Sequence, residues 1–148
     1  MIVKKSLGLE KLYRCDVCGV ETPLAYRVVL RSLSGVKFRG VVCYRCRKRL
    51  EIEDRRLQIL HLIDVLNKIR GKVEKQKSVR MTYPIVMFTR DGGHIVWLKR
   101  RFEEMGFVIE KNSHVCLALA KDDLGKIDEV IGELEREAEK LEQMKENV

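Results

Sequence analysis

Residues 41–51, VVCYRCRKRLE, place Cys43 and Cys46 where an apolar, β-branched run gives way to a strongly cationic one. Arg45, Arg47, Lys48 and Arg49 follow within the same stretch. Taken alone, the segment could be half of a metal knuckle, a redox pair, or a basic helix that carries two thiols. A partner decides between them, and one lies upstream. YRCDVCG, residues 13–19, holds a second Cys-x-x-Cys, Cys15 and Cys18, and 24 residues separate the two pairs. Zn²⁺ takes four thiolates in a tetrahedron at about 2.3 Å, and two intervening residues let one turn present both sulfurs to one ion. The two pairs therefore predict one structural zinc ion held by Cys15, Cys18, Cys43 and Cys46. Four sulfurs leave no open position for catalysis.

The gap exceeds the usual zinc spacing of about 15–20 residues, and a hairpin accounts for the excess. AYRVVLRSL (25–33) is rich in strand formers, Ser34-Gly35 reads as a turn, and VKFRGVVC (36–43) reads as the return strand. From Cys46 the period becomes helical. Leu50, Leu57, Leu60, Ile63, Leu66, Ile69 and Val73 recur on one face, widened by Ile59, Leu62 and Val65. This predicts a helix of roughly 25 residues beginning near residue 45 or 46. Gly71 and KVEKQKSVR (72–80) read as its frayed end and a linker. Thiolates at the strand-to-helix corner gain from free amides and the positive end of the helix dipole.

A knuckle, a hairpin and two further ligands at a helix start, in the order YRCDVCG … VVCYRCRKRL, resemble the treble-clef zinc fingers over residues 13–57. The resemblance implies a zinc fold built on four cysteines and singles out no function. A zinc ribbon, with two knuckles on two hairpins, is the rival, and the helical period after Cys46 argues against it. Disulfides are disfavoured in a reducing compartment. A thioredoxin-type pair expects its Cys-x-x-Cys after a strand in a βαβ unit, a setting neither pair has. An iron–sulfur cluster also uses four thiolates. Cys116, inside an apolar strand, reads as core.

Charge is unevenly spread. Residues 1–50 carry 12 Lys/Arg against 3 Asp/Glu, whereas residues 121–148 carry 5 against 10, within a chain of net charge +8. A basic first half points to a polyanionic partner. Arg14, Arg27, Arg31, Lys37, Arg39, Arg45, Arg47, Lys48 and Arg49 fall on the knuckle, hairpin and first helical turn, near Tyr13, Tyr26, Phe38 and Tyr44. Cations contact phosphates and aromatics stack on bases, so these nine are the candidate nucleic-acid contacts, for DNA or RNA. A solvated basic face and aromatics packed around a zinc core are the plain alternatives.

The second half begins with YPIVMFTR (83–90), read as a strand, then a DGG turn (91–93) and a helix over HIVWLKRRFEEMG (94–106) closed by Gly106. FVIE (107–110) and VCLALA (115–120) read as strands around KNSH (111–114), before a long helix capped by Asp122 or Asp123. The order βαββα is a split βαβ, ferredoxin-like pattern short of one strand. SVRMT (78–82), the hairpin or a second chain would complete the sheet. Leu124, Ile127, Ile131, Leu134, Ala138 and Leu141 form a heptad-like stripe on the last helix. Either it packs on the chain's own sheet, or it serves a homodimer or a partner helix.

The expected architecture is thus α+β: a zinc-binding basic module at 1–50, a connecting helix at 51–77, and a βαββα domain at 78–148. No run of about 18 apolar residues predicts a membrane span, and the opening residues lack the apolar stretch of a secretory signal, so a cytoplasmic setting is expected. The 35% charged residues, with only three Asn and three Gln, are of a thermophile kind. No catalytic constellation emerges, and no small-molecule substrate is implied. His61 lies on the apolar helix and reads as core, His114 lies in a turn, and His94 beside Asp91-Gly92-Gly93 is weak evidence for a phosphate loop. Treble clefs of the His-Asn-His nuclease kind need His and Asn on the hairpin and helix, and residues 19–60 contain neither. A nucleic-acid-binding regulator or accessory factor is the leading expectation. The alternative is an adaptor in a transcription, ribosome or repair assembly that binds an acidic partner.

Overall fold

Three β-branched segments of the first half pair into one antiparallel sheet. They are β1 (Ile2–Ser6), β4 (Ala25–Ser32) and β5 (Gly35–Cys43), in the order β1-β4-β5. Between β1 and β4 in sequence, β2 (Tyr13–Arg14) and β3 (Glu21–Thr22) form a short ribbon. The structure is a computed structural model that describes residues 1–6, 11–32, 35–77, 79–90, 94–111 and 113–148. The expected hairpin is present, with register from Ala25↔Cys43 to Ser32↔Gly35 and a bulge after Leu30. Of its expected turn, Ser34 lies outside the described residues, and Gly35 has φ 122°. Strand β1 was not expected, because only Ile2 and Val3 in it favour β structure.

The helix that follows, α1 (Tyr44–Lys75), has 32 residues and is longer than its apolar period predicts. It starts directly after the last residue of β5. Residues 72–75, read from sequence as linker, are its final turn, held by the fully buried Val73. Gly71 does not stop it, since one glycine costs a helix only about 1 kcal/mol. The buried stripe is Ile59, Leu62, Leu66, Ile69 and Val73, at alternating spacings of three and four, and Leu60 is displaced from it at 40% exposure.

The chain divides into two units, Met1–Leu57 with Glu139–Val148, and Gln58–Ala138. The helix expected as a connector over 51–77 is therefore shared by the two units. The division between these units falls within it, between Leu57 and Gln58.

In the second unit the sheet order is β6-β8-β7, from β6 (Met81–Pro84), β7 (Val108–Lys111) and β8 (Val115–Leu119), with both outer strands antiparallel to β8. The first of these strands is shorter than YPIVMFTR suggested. Pro84 has no N–H to give the ladder, and Ile85–Phe88 leave the sheet as a 3₁₀ turn. With three residues per turn, that geometry puts Ile85 and Phe88 on the same side, and both are buried. SVRMT does not add a fourth strand, for Met81 and Thr82 are the first residues of β6 and Ser78 lies outside the described residues.

Helix α2 (Ile95–Glu104) ends as expected at Gly106. Gly106, at φ 84°, donates its N–H to Glu103 O, and Phe107 N–H reaches Phe102 O, both at 3.0 Å. This is a Schellman motif, with its apolar contact supplied by the Phe102 and Phe107 rings, 5.8 Å apart and edge to face. The DGG turn and Asn112 of KNSH lie outside the described residues.

A 3₁₀ turn (Lys121–Asp123) opens α3 (Leu124–Glu146), where the buried Asp123 accepts the Ala120 N–H at 2.8 Å. The stripe on α3 is internal. Ile127, Ile131, Leu134, Ala138 and Leu141 are buried within the chain and Leu124 is half-buried. Burial within the chain fits the first of the two alternatives, a stripe packed on the chain's own residues.

Candidate metal centre

The cysteines converge because three local features aim them at one point. Strand β2 leads straight into Cys15. Gly19, at φ 77°, lets the chain reverse, with Gly19 N–H on Cys15 O at 2.9 Å and Cys15 N–H on Val20 O at 2.8 Å. Strand β5 ends at Cys43, and Cys46 sits in the first turn of α1. The four sulfurs all lie within 4.8 Å of one another, and Cys18 Sγ is 3.8 Å from Cys43 Sγ.

A tetrahedron with metal–sulfur bonds of about 2.3 Å has edges of about 3.8 Å. The cluster therefore suits one tetrahedral ion with four thiolate ligands. Cys15, Cys43 and Cys46 are buried, while Cys18 faces solvent. No other group of three or more His, Cys, Asp or Glu side chains among the described residues is placed to hold a metal. Cys116 stands apart from the cluster, buried in β8 with its thiol 3.6 Å from His114 O.

Electrostatics point the same way. Burial raises the Cys15 thiol, but backbone N–H groups of Cys18, Cys43 and Val17 outweigh it and bring it down to about 6. Cys46 is pushed up, first by burial, then by hydrogen bonds with Cys15, Cys43 and Cys18 and by the charge of Cys15. Four thiols this close resist shared ionisation, and a bound dication removes that repulsion.

Asp16, which the motif reading passed over, ties the two knuckles together. Its N–H donates to Val41 O at 2.8 Å, and its Oδ2 accepts the Val41 N–H at 2.7 Å. The knuckle holding Cys15 and Cys18 is thereby fixed to the strand that delivers Cys43. Gly40 makes room for it, because a Cβ there would lie 2.6 Å from Asp16 Oδ2. The signal was present in sequence as a glycine within a strand, which often marks close approach of another segment.

The nine basic candidates separate into two groups. Arg47 stacks on Tyr26 at 4.5 Å and pairs with Glu51 at 2.9 Å. Lys48 lies 4.8 Å over the Tyr44 ring, Arg49 donates to Val148 O at 2.6 Å, and Arg14 folds beside Gly19. Arg27, Arg31, Lys37, Arg39 and Arg45 are exposed and have no ion pair or hydrogen bond to a described side chain. Two of the four aromatics expected near them are engaged elsewhere. Tyr26 and Phe38 pack on the cluster formed by Cys15, Val28, Val42, Cys43 and Cys46.

Comparison of the sequence with protein-family models, with curated proteins and with solved structures returned no match.

Proposed function

We propose that the protein is a zinc-organised nucleic-acid-binding protein, acting as a small transcriptional regulator or accessory factor in the cytoplasm. One observation carries this reading. The sheet β1-β4-β5 comprises the segments IVKKS, AYRVVLRS and GVKFRGVVC, which together contain six Lys or Arg and not one Asp or Glu. An ordinary solvated sheet mixes signs, since opposite charges across strands stabilise it and like charges oppose it. A sheet that keeps only cations is suited to a polyanion.

Zinc is the ion we assign to the four cysteines, and its part is structural. It closes the knuckle onto the corner between β5 and α1. Knuckle, hairpin and helix start in that order support a treble-clef arrangement, and the β6-β8-β7 order supports a split βαβ, ferredoxin-like second unit. No described helix is long and apolar enough to cross a membrane.

The test is fluorescence anisotropy of the zinc-loaded chain on labelled nucleic acid. Binding should weaken about a hundred-fold to a thousand-fold between ~50 and ~200 mM salt, as counterion release at about four to five phosphates requires. No binding to any nucleic acid at the lower salt would overturn the reading. In that case the adaptor role gains, and α2 favours it, with Val96 and Trp97 exposed at 73% and 43%.

A further inference from the structure

We infer that the nucleic acid taken by this protein is duplex DNA, held through its phosphates on the outer face of the β1-β4-β5 sheet, without reading of sequence. The inference rests on the nucleic-acid reading above and narrows it. On the outer face each arginine sits opposite a valine: Arg27↔Val41, Arg39↔Val29 and Arg31↔Val36. Ile2 of β1 pairs with the same Val29. Arg27, Arg31 and Arg39 are all exposed, and no described acidic side chain engages them. Arg27 and Arg39 border an open depression of about 390 Å³ floored by Ile2, Val29 and Val41.

The chemistry of this face selects among nucleic acids. Proteins that hold single strands stack bases on aromatic rings, and this face has none among its described side chains. Tyr26 and Phe38 belong to the opposite, inward side, and the Tyr44 ring already carries Lys48 and Arg47 over it. Reading of adenine or cytosine edges uses Asn, Gln, Asp or Glu, and none occurs in the three strands; arginine can pair with guanine, but the spacing of these three sets them on phosphates. Duplex RNA has a deep, narrow major groove, which a wide spacing of cations across the face does not match.

What remains is a set of cationic donors fixed on a rigid pleat. Arg27 and Arg31 are four residues apart, about 13 Å along an antiparallel strand, comparable to the ~12 Å major groove of B-form DNA. Arg39 stands between them, one strand over. That spacing places guanidinium groups on the phosphate ridges either side of the groove.

The experiment compares a ~24-base-pair DNA duplex in two unrelated sequences, the matching RNA duplex and the separate DNA strands, using the full zinc-loaded chain. The expected result is equal affinity for both DNA duplexes and at least about tenfold weaker binding of single strands and of duplex RNA. The triple variant Arg27→Gln, Arg31→Gln, Arg39→Gln should lower the slope of log affinity against log salt by about 3. Zinc content and circular dichroism confirm that the variant is folded, and single Arg39→Glu, which alters one exposed side chain, serves as the second variant. Single strands or duplex RNA bound as tightly as duplex DNA would overturn the inference and leave the broader reading standing. Strong discrimination between the two duplexes, or an unchanged slope in the triple variant, would do the same. Absence of binding to every probe at low salt would overturn both.

Discussion

Gly40→Ala tests the link between fold and metal site most directly. The added Cβ would lie 2.6 Å from Asp16 Oδ2, 3.0 Å from Phe38 Cζ and 3.3 Å from Asp16 Cβ. The carboxylate is solvent-facing and can swing away, but it then abandons the Val41 N–H. A hydrogen bond to a charged acceptor contributes about 1.5 kcal/mol, and easing Phe38 outward adds roughly 1 kcal/mol of overpacking. Partial relaxation brings the expected loss to about 2 kcal/mol. Because metal binding to such a site is coupled to its folding, that loss should appear as about a 30-fold weaker zinc affinity, measured by competition with a chelating indicator. Asp16→Ala removes the same bond by another route. The double variant should therefore cost clearly less than the sum of the singles, as coupled neighbours do. Wild-type zinc affinity in Gly40→Ala, or strict additivity in the cycle, would refute the role given to Asp16.

Four further outcomes follow from the same structure. Chelation of the metal, or Cys43→Ser, should remove one zinc per chain and raise amide exchange in β4 and β5; full retention of protection without metal would exclude a structural role. Glu53 is held down to about 2, first by its hydrogen bond from Arg56, against burial, and then by Lys145. Its contribution is complete above about pH 4.5 and fades as pH falls toward about 2, an effect of about 1 kcal/mol after solvent screening. Glu53→Gln should flatten the stability profile in that window, and an unchanged slope in urea unfolding would contradict it. Gly106→Ala meets only the flexible Lys126 Nζ at 3.4 Å, so its cost is that of a left-handed alanine, about 1 kcal/mol in denaturant unfolding; no loss would deny the cap its role. Arg47→Ala should lower stability by about 1 kcal/mol through the lost Tyr26 stacking and Glu51 pair, while duplex affinity, read by anisotropy, falls less than in Arg39→Glu.

Much of this was legible because the information was local. Cys-x-x-Cys spacing, β-branched runs about a turn and the helical period after Cys46 are short-range patterns, and they gave the cysteine cluster, the hairpin and the mixed α and β class. The misses arose where tertiary context decides. Pro84 ends β6 by withholding a ladder donor, although YPIVMFTR has strand composition throughout. Residues 72–75 stay helical because Val73 finds a buried place. The α3 stripe has the period of a coiled-coil seam, and only burial tells that the chain itself covers it.

The same distinction governs the cations. By sequence, Arg45, Arg47, Lys48 and Arg49 look like the densest phosphate site in the chain, four of them in five residues. A helix start beside a sheet, however, brings such side chains against the sheet's aromatics and the helix's own next turn. Arg47 accordingly lies between Tyr26 and Glu51, and Lys48 lies on Tyr44. Recruiting Arg47 or Lys48 to a phosphate first costs the contacts it already makes. The sheet arginines are spaced by pleat and register, opposite valines that offer no competing charge, so nothing must be given up before they bind. On the proposed reading, the sparser set fixed by strand geometry is thus the phosphate surface, and local charge density in the sequence is not its guide.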